Sequence, residues 1–217
     1  MSILHLHIGL YALATGDVND AEIEFNIALD LLRVNSTSSN THLVRVRLAR
    51  TELCRQSPAS CLALIRSAES FSIPLDIAFA IQFLRADLCL FIRDLDMAIT
   101  PTILSLAFAR ILSDGSRVAA VVQRLGDLFL MADKIFQSAT ACYQRTLEVM
   151  RNAGARQHVA DCVLRLGIVL LLEGQVAEAK RKLTNSRRIY KLAEDAQGYG
   201  YCECILAECE VEGQKVI

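Results

Sequence analysis

The sequence predicts an all-α fold, a tandem array of helix-turn-helix repeats, and three observations carry that reading. The chain has 217 residues, 53% of them hydrophobic and 22% charged, which is apolar side chain enough for a substantial core. Only 3 Pro and 10 Gly are spread through it, too few for the turns of an all-β or a frequently crossing α/β fold. The phrase Arg124-Leu125-Gly126 returns 41 residues later as Arg165-Leu166-Gly167. Each copy opens an apolar helix, then a turn, then a second helix with Ala and a larger residue at helical spacing.

Projected backward, the small residue of that phrase falls at Ala86, Ala49 and Gly9, at intervals of 40, 37 and 40 residues; projected forward it falls at Ala207. A small residue on the first helix lets the second approach closely, and a larger one on the second fills the remaining gap. The first unit spans helices near 2–14 and 18–33, joined at Gly16-Asp17, with Ala21, Phe25 and Ala28 on the second. Its opening run from Ile3 to Ala14 is apolar like a signal peptide, but no Lys or Arg precedes it and it serves equally as a first helix.

The second unit, with helices near 41–55 and 58–71, follows the polar stretch from Asn35 to Asn40 and carries Cys61, Ile65 and Ala68. Ser57-Pro58 offers a capping hydroxyl before a proline at the first helical position. The third, near 74–93 and 100–113, lies between Ser72 to Pro74 and Ser113 to Gly115 and turns at Asp94 to Asp96. Thr100-Pro101 reads as the start of its second helix, where the repeat pattern would have that helix already under way; this unit is degenerate.

The fourth unit, near 116–132 and 134–152, turns at Asp133 and carries Ala139, Tyr143 and Thr146. The fifth, near 155–173 and 175–193, follows Asn152 to Gly154, turns at Gly174 and carries Ala179, Leu183 and Ser186. One helix near 196–212 closes the array. The expectation is one repeat domain over 1–217, with units near 2–34, 41–72, 74–113, 116–152 and 155–194 and a capping helix, eleven helices in all.

The formal charge of −1 and a pI near 6.4 give no global attraction to nucleic acid or an anionic membrane. The longest apolar stretch, Ile73 to Ile92, is broken by Asp76, Arg85 and Asp87, so no membrane span is expected. Eight cysteines read as free, small, buried hydrophobes of a reducing compartment, and Cys54, Cys61, Cys89, Cys142 and Cys162 are assigned to the core. A cytoplasmic location follows as an expectation.

Gly9 to Asp17 with Ala21, Phe25 and Ala28, and Leu166 to Ser186, resemble the tetratricopeptide repeat family. The chain has no Trp, and its period near 40 exceeds the family's usual one of about 34, so it is similar to longer-helix variants. Such variants occur in kinesin light chains, in sensor regions of bacterial transcription activators and in fungal nucleotide-binding receptor proteins. The resemblance implies a right-handed α-solenoid of about five and a half repeats, whose first helices line a concave groove that binds a peptide or helix.

On the family pattern the groove is lined by Leu6, Leu10, Val46, Arg50, Phe83, Asp87, Gln123, Asp127, Leu164, Ile168, Cys204 and Glu208. Leu6 and Leu10 stand where one subclass places the Lys and Asn that grip a chaperone's terminal carboxylate, so that specificity is not expected. Apolar anchors beside Arg50 and Asp87 suit an amphipathic helix or an extended peptide.

The remaining constellations have plain readings. Cys202 and Cys209 share a helix face while Cys204 points elsewhere, which suits burial under the last repeat better than metal binding. His5 and His7 point about 200° apart on a helix and cannot share a ligand. Lys180 to Lys182 with Arg187, Arg188 and Lys191 read as a solvated convex face balanced by the acidic last helix. That helix is expected to turn Tyr201, Cys202, Ile205, Leu206 and Cys209 inward and to keep Glu203, Glu208, Glu210 and Glu212 solvated. If it is instead a seam in a longer array, Tyr201 or Val211 should be exposed. The expected function is a non-enzymatic scaffold or sensor region that binds a protein or peptide partner, without metal or cofactor. A helical-repeat enzyme or a nucleic-acid-binding α-solenoid is the alternative.

Overall fold

The computed structural model describes residues 1–35, 38–69, 73–132 and 135–214, without the side chains of 33–35, 38–39 and 211–214. Among these residues it is all-helical. The helices are α1 (Ser2–Thr15), α2 (Val18–Asn35), α3 (Ser38–Cys54), α4 (Pro58–Ala68), α5 (Leu75–Phe91) and α6 (Leu95–Ile111), then α7 (Gly115–Ala132), α8 (Phe136–Asn152), α9 (Arg156–Leu172), α10 (Val176–Leu192) and α11 (Ala196–Gln214). The expected turn at Asp133, the loop residues Ser36 and Thr37, and Ser72 lie outside the described residues.

Contacts group the helices into two compact units, Met1–Ser113 and Asp114–Ile217. In the first, α1 pairs with α2, α3 with α4 and α5 with α6, and the first helices α1, α3 and α5 lie side by side. In the second, α7 pairs with α8 and α9 with α10, while α11 packs on α10 and touches α9. Each unit has its own apolar cores. Phe25 and Ala28 anchor one and Ile65 and Ile81 another in the first unit; Tyr143 and Val169, then Leu183 and Cys202, do so in the second.

The repeat register is borne out at the packing positions. Ala21, Phe25, Ala28, Cys61, Ile65, Ala68, Ala139, Tyr143, Thr146, Ala179, Leu183 and Ser186 are all 0% exposed. Facing them, Gly9, Ala49, Ala86, Gly126 and Gly167 are buried on the first helices. An added Cβ at Gly9 would come within 2.6 Å of the Phe25 ring, which is why only glycine fits there. Ala207, the position projected forward from Gly167, is exposed.

The start of α6 differs from expectation. It begins at Leu95, because Asp94 is the cap that accepts a hydrogen bond from the Met97 N–H at 3.2 Å, and Pro101 sits inside the helix. Pro101 brings no N–H to the ladder, and the Thr102 hydroxyl donates to the Ala98 carbonyl at 2.7 Å. Ala98, Thr102 and Ser105 are buried at the places that Ala21, Phe25 and Ala28 hold in the first unit. The third unit is thus in register. At the start of α4, Pro58 occupies the first turn as expected, but the Ser57 hydroxyl donates to the Ser60 hydroxyl and caps no backbone group.

Aspartates cap several other helices. Asp17, Asp114 and Asp195 accept from the N–H groups of Asp20, Arg117 and Gly198 at 3.1, 3.0 and 2.8 Å. Two further assignments change. Cys54, at the end of α3, is exposed, and Tyr201 on α11 is 55% exposed, as expected if that helix is a seam, whereas Cys202, Ile205 and Cys209 are buried as expected of a capping helix.

Candidate functional site

In the first unit the side-by-side helices α1, α3 and α5 form an inner layer, and six of the expected groove residues lie on it. Leu6 and Val46 are buried and belong to the packing; Leu10, Phe83 and Asp87 are half-buried, and Arg50 is exposed. Phe83 stacks on Phe79, with ring centroids 5.5 Å apart and planes at 22°. These three helices therefore carry an exposed cation and half-covered apolar side chains. His5 is engaged with the second helix of its unit: its Nδ1 lies 2.7 Å from Glu24 Oε2.

In the second unit Gln123 and Leu164 are buried, Asp127 and Ile168 are half-buried, and Cys204 and Glu208 on α11 are exposed. Gln123 accepts a weak bond from the Cys162 thiol at 3.6 Å. Asp127 is the hub of a polar cluster. Tyr143 Oη donates to its Oδ1 at 2.8 Å, Arg165 Nε to the same oxygen at 2.8 Å, and Arg124 Nη1 to Oδ2 at 3.0 Å. Three helices, α7, α8 and α9, meet at this carboxylate.

Charge-assisted bonds of this kind are stronger than neutral ones, and the low dielectric around them makes both partners depend on each other. Burial alone would lower the Arg165 guanidinium, but Asp127 holds it above its usual value. Burial and Asp127 together push the Tyr143 phenol up, so it stays a neutral donor. The Asp127 side chain is thus committed to joining repeats, whereas Cys204 and Glu208 are exposed. The two arginines come from the two copies of the Arg-Leu-Gly phrase. That phrase was visible in the sequence, but its arginines had no assigned role because their shared target lies on α7 alone.

A second tie repeats between paired helices. The Thr146 hydroxyl donates to the Ala119 carbonyl at 3.0 Å and the Ser186 hydroxyl to the Ala160 carbonyl at 2.8 Å. Tyr190 Oη likewise donates to Asp161. These bonds satisfy the polar groups that the repeat buries.

No protein-family model matches the chain, and no curated protein sequence matches it. Among solved structures it is similar to a Rap protein complexed with competence and sporulation factor, at 12% identity and a TM-score of 0.70, over 97% of this chain and 75% of that one. It is similar also to the apo form of RapI, at 12% identity and a TM-score of 0.66, over 89% of this chain and 72% of that one. A signal transduction ATPase from Pyrococcus horikoshii with a tetratricopeptide repeat sensor matches at 10% identity and a TM-score of 0.69, over 91% of this chain but 31% of that one. With its paired helices, its repeated small-on-large packing and this likeness, the chain has the tetratricopeptide-like helical-repeat fold.

Proposed function

We propose that the chain is a non-enzymatic interaction module, a scaffold or the repeat region of a sensor, that holds a peptide or helix of a partner protein. Residues 1–217 serve in this reading as one repeat domain, working in the cytoplasm. The observation that carries it is the row of first helices in the first unit, where Leu10 and Phe83 are half-buried on α1 and α5 and Arg50 stands exposed on α3, which packs against both. Apolar anchors with a nearby charge suit an amphipathic or extended segment, the anchors supplying affinity and the charge orientation. The likeness to a Rap protein complexed with a factor supports the same reading.

The test is selection from a phage-displayed random peptide library on the full chain, followed by fluorescence polarisation with the selected peptides. Leu10→Glu and Arg50→Glu are each expected to weaken binding about tenfold or more, as loss of a central contact does. Arg145→Glu on α8 should leave it unchanged. No enrichment on the parent chain, or equal binding by all variants, would overturn the reading.

A further inference from the structure

The second unit has a cleft of about 400 Å³ along α10 beside the start of α11. Arg181, Thr184, Arg188 and Lys191 line it from one stripe of α10, at steps of three, four and three residues. At a rise of about 1.5 Å per residue the stripe is roughly 15 Å long. Arg187 and Tyr199 line it as well, and no acidic side chain does.

Two of these cations are balanced locally. Arg187 Nη1 lies 2.6 Å from Glu203 Oε1, and Arg181 Nη2 lies 3.0 Å from Glu178 Oε1. Arg188 donates only to the neutral Asn185 side chain, at 3.4 Å, and Lys191 has no carboxylate partner among the described residues. Both are exposed. Like charges one turn apart on a helix repel, so the pair is a cost to the isolated fold.

The repeat does not require this charge. Forty residues earlier, α8 packs in the same way, and its positions matching Arg181, Thr184, Arg188 and Lys191 are Ala141, Gln144, Glu148 and Arg151. The same architecture therefore stands with one cation and one carboxylate where α10 has three cations.

We propose that this cleft binds an acidic helical segment of a partner protein, with Asp or Glu side chains spaced in threes and fours along α10. Cations strung along a stripe match a row of carboxylates better than a single compact anion. A nucleic acid fits less well, because the cleft has one aromatic ring for stacking, Tyr199, and all its cations stand on a single helix. The cleft is lined by α10 and by Tyr199 at the start of α11, and by none of the residues expected in the groove, so it stands or falls independently of the function proposed above.

The experiment is fluorescence polarisation on the full chain. The probe is a labelled, end-capped peptide of about 18 residues, long enough for five helical turns, with Glu on one face at three-four spacing and Ala and Gln elsewhere. A scrambled peptide of the same composition and a single-stranded oligonucleotide serve as competitors. Micromolar binding of the patterned peptide is expected, weakened about tenfold by Arg188→Glu with Lys191→Glu and less by the Gln pair at these sites, as for charges at a partly solvated contact. Reversal of Arg145 and Arg151 on α8 should not change it. The proposal is overturned by absent binding, by equal binding of the scrambled peptide, by tighter binding of the oligonucleotide, or by an equal effect of the α8 variants. It is overturned also if the chain alone self-associates in sedimentation and the α10 reversals abolish that, which would give the cleft to a second copy.

Discussion

At the scale of single residues, the fold rests on glycines and alanines of the first helix facing large side chains of the second. A Cβ added at Gly126 would lie 2.7 Å from Tyr143 Cε1, and one at Gly167 would lie 3.0 Å from Leu183 Cγ and Cδ2. The two contacts differ in how far the neighbour can yield. Tyr143 is held at its far end by Asp127, whereas the Leu183 methyls can rotate. Gly126→Leu and Gly167→Leu are both expected to destabilise, by about 1–3 kcal/mol each, with Gly126→Leu the more severe. Thermal melts decide this, and parental melting temperatures for both variants would show that the register is wrong. These two glycines were legible because they close a repeated phrase. Gly198, which lies against the Tyr190 ring, was not, because it belongs to no phrase and its partner is on the preceding helix.

At the scale of helices, legibility followed the strength of local signals. Turns marked by Gly16, Gly154 and Gly174 fell where expected, each glycine at positive φ. The start of α6 did not, because two local signals competed. Thr100-Pro101 has the pattern of a helix start, but Asp94 caps one turn and a half earlier and buries Ala98 in register with the other units. Packing outweighed the cost of an interior proline. The last helix shows the same rule in reverse. Cys202, Ile205 and Cys209 of α11 are buried against Leu183, Tyr190 and Ala160, while Glu208 and Glu210 are exposed. Deletion from Ala196 onward is therefore expected to bare the core that Leu183 and Tyr190 share, and to lead to aggregation, as repeat arrays without a terminal cover do. Analytical sedimentation of the deletion product tests it. A monomer that melts like the parent would rule out the capping role.

At the scale of the whole molecule, periodicity revealed the fold class but could not reveal which of the residues expected to line a groove are buried. Burial depends on contacts between helices distant in sequence, and so Leu6, Val46, Gln123 and Leu164 went from expected groove positions to packed ones. The same burial, in both units, predicts how the fold responds to alkali. Burial, with smaller contributions from nearby carboxylates, pushes the Cys61 thiol up from 9.0 to about 11. Burial likewise pushes the Cys162 thiol up to about 12, against a lowering by Arg165. The Tyr143 and Tyr190 phenols are raised too, by burial first and then by Asp127 and Asp161. A raised acid keeps its proton in the folded state at a pH where the unfolded chain has released it. Its stabilising contribution is thus complete below the unfolded value and is lost as pH rises toward the folded one. Urea midpoints under reducing conditions should therefore be level between about pH 7 and 8.5 and fall progressively above about pH 9, where the unfolded thiols begin to ionise, then the phenols. Cys162→Ala should lessen the slope while lowering stability at neutral pH, because it removes one titrating group and leaves a small cavity. A midpoint unchanged at about pH 10.5 would mean that these thiols and phenols are not held in a buried, proton-retaining core.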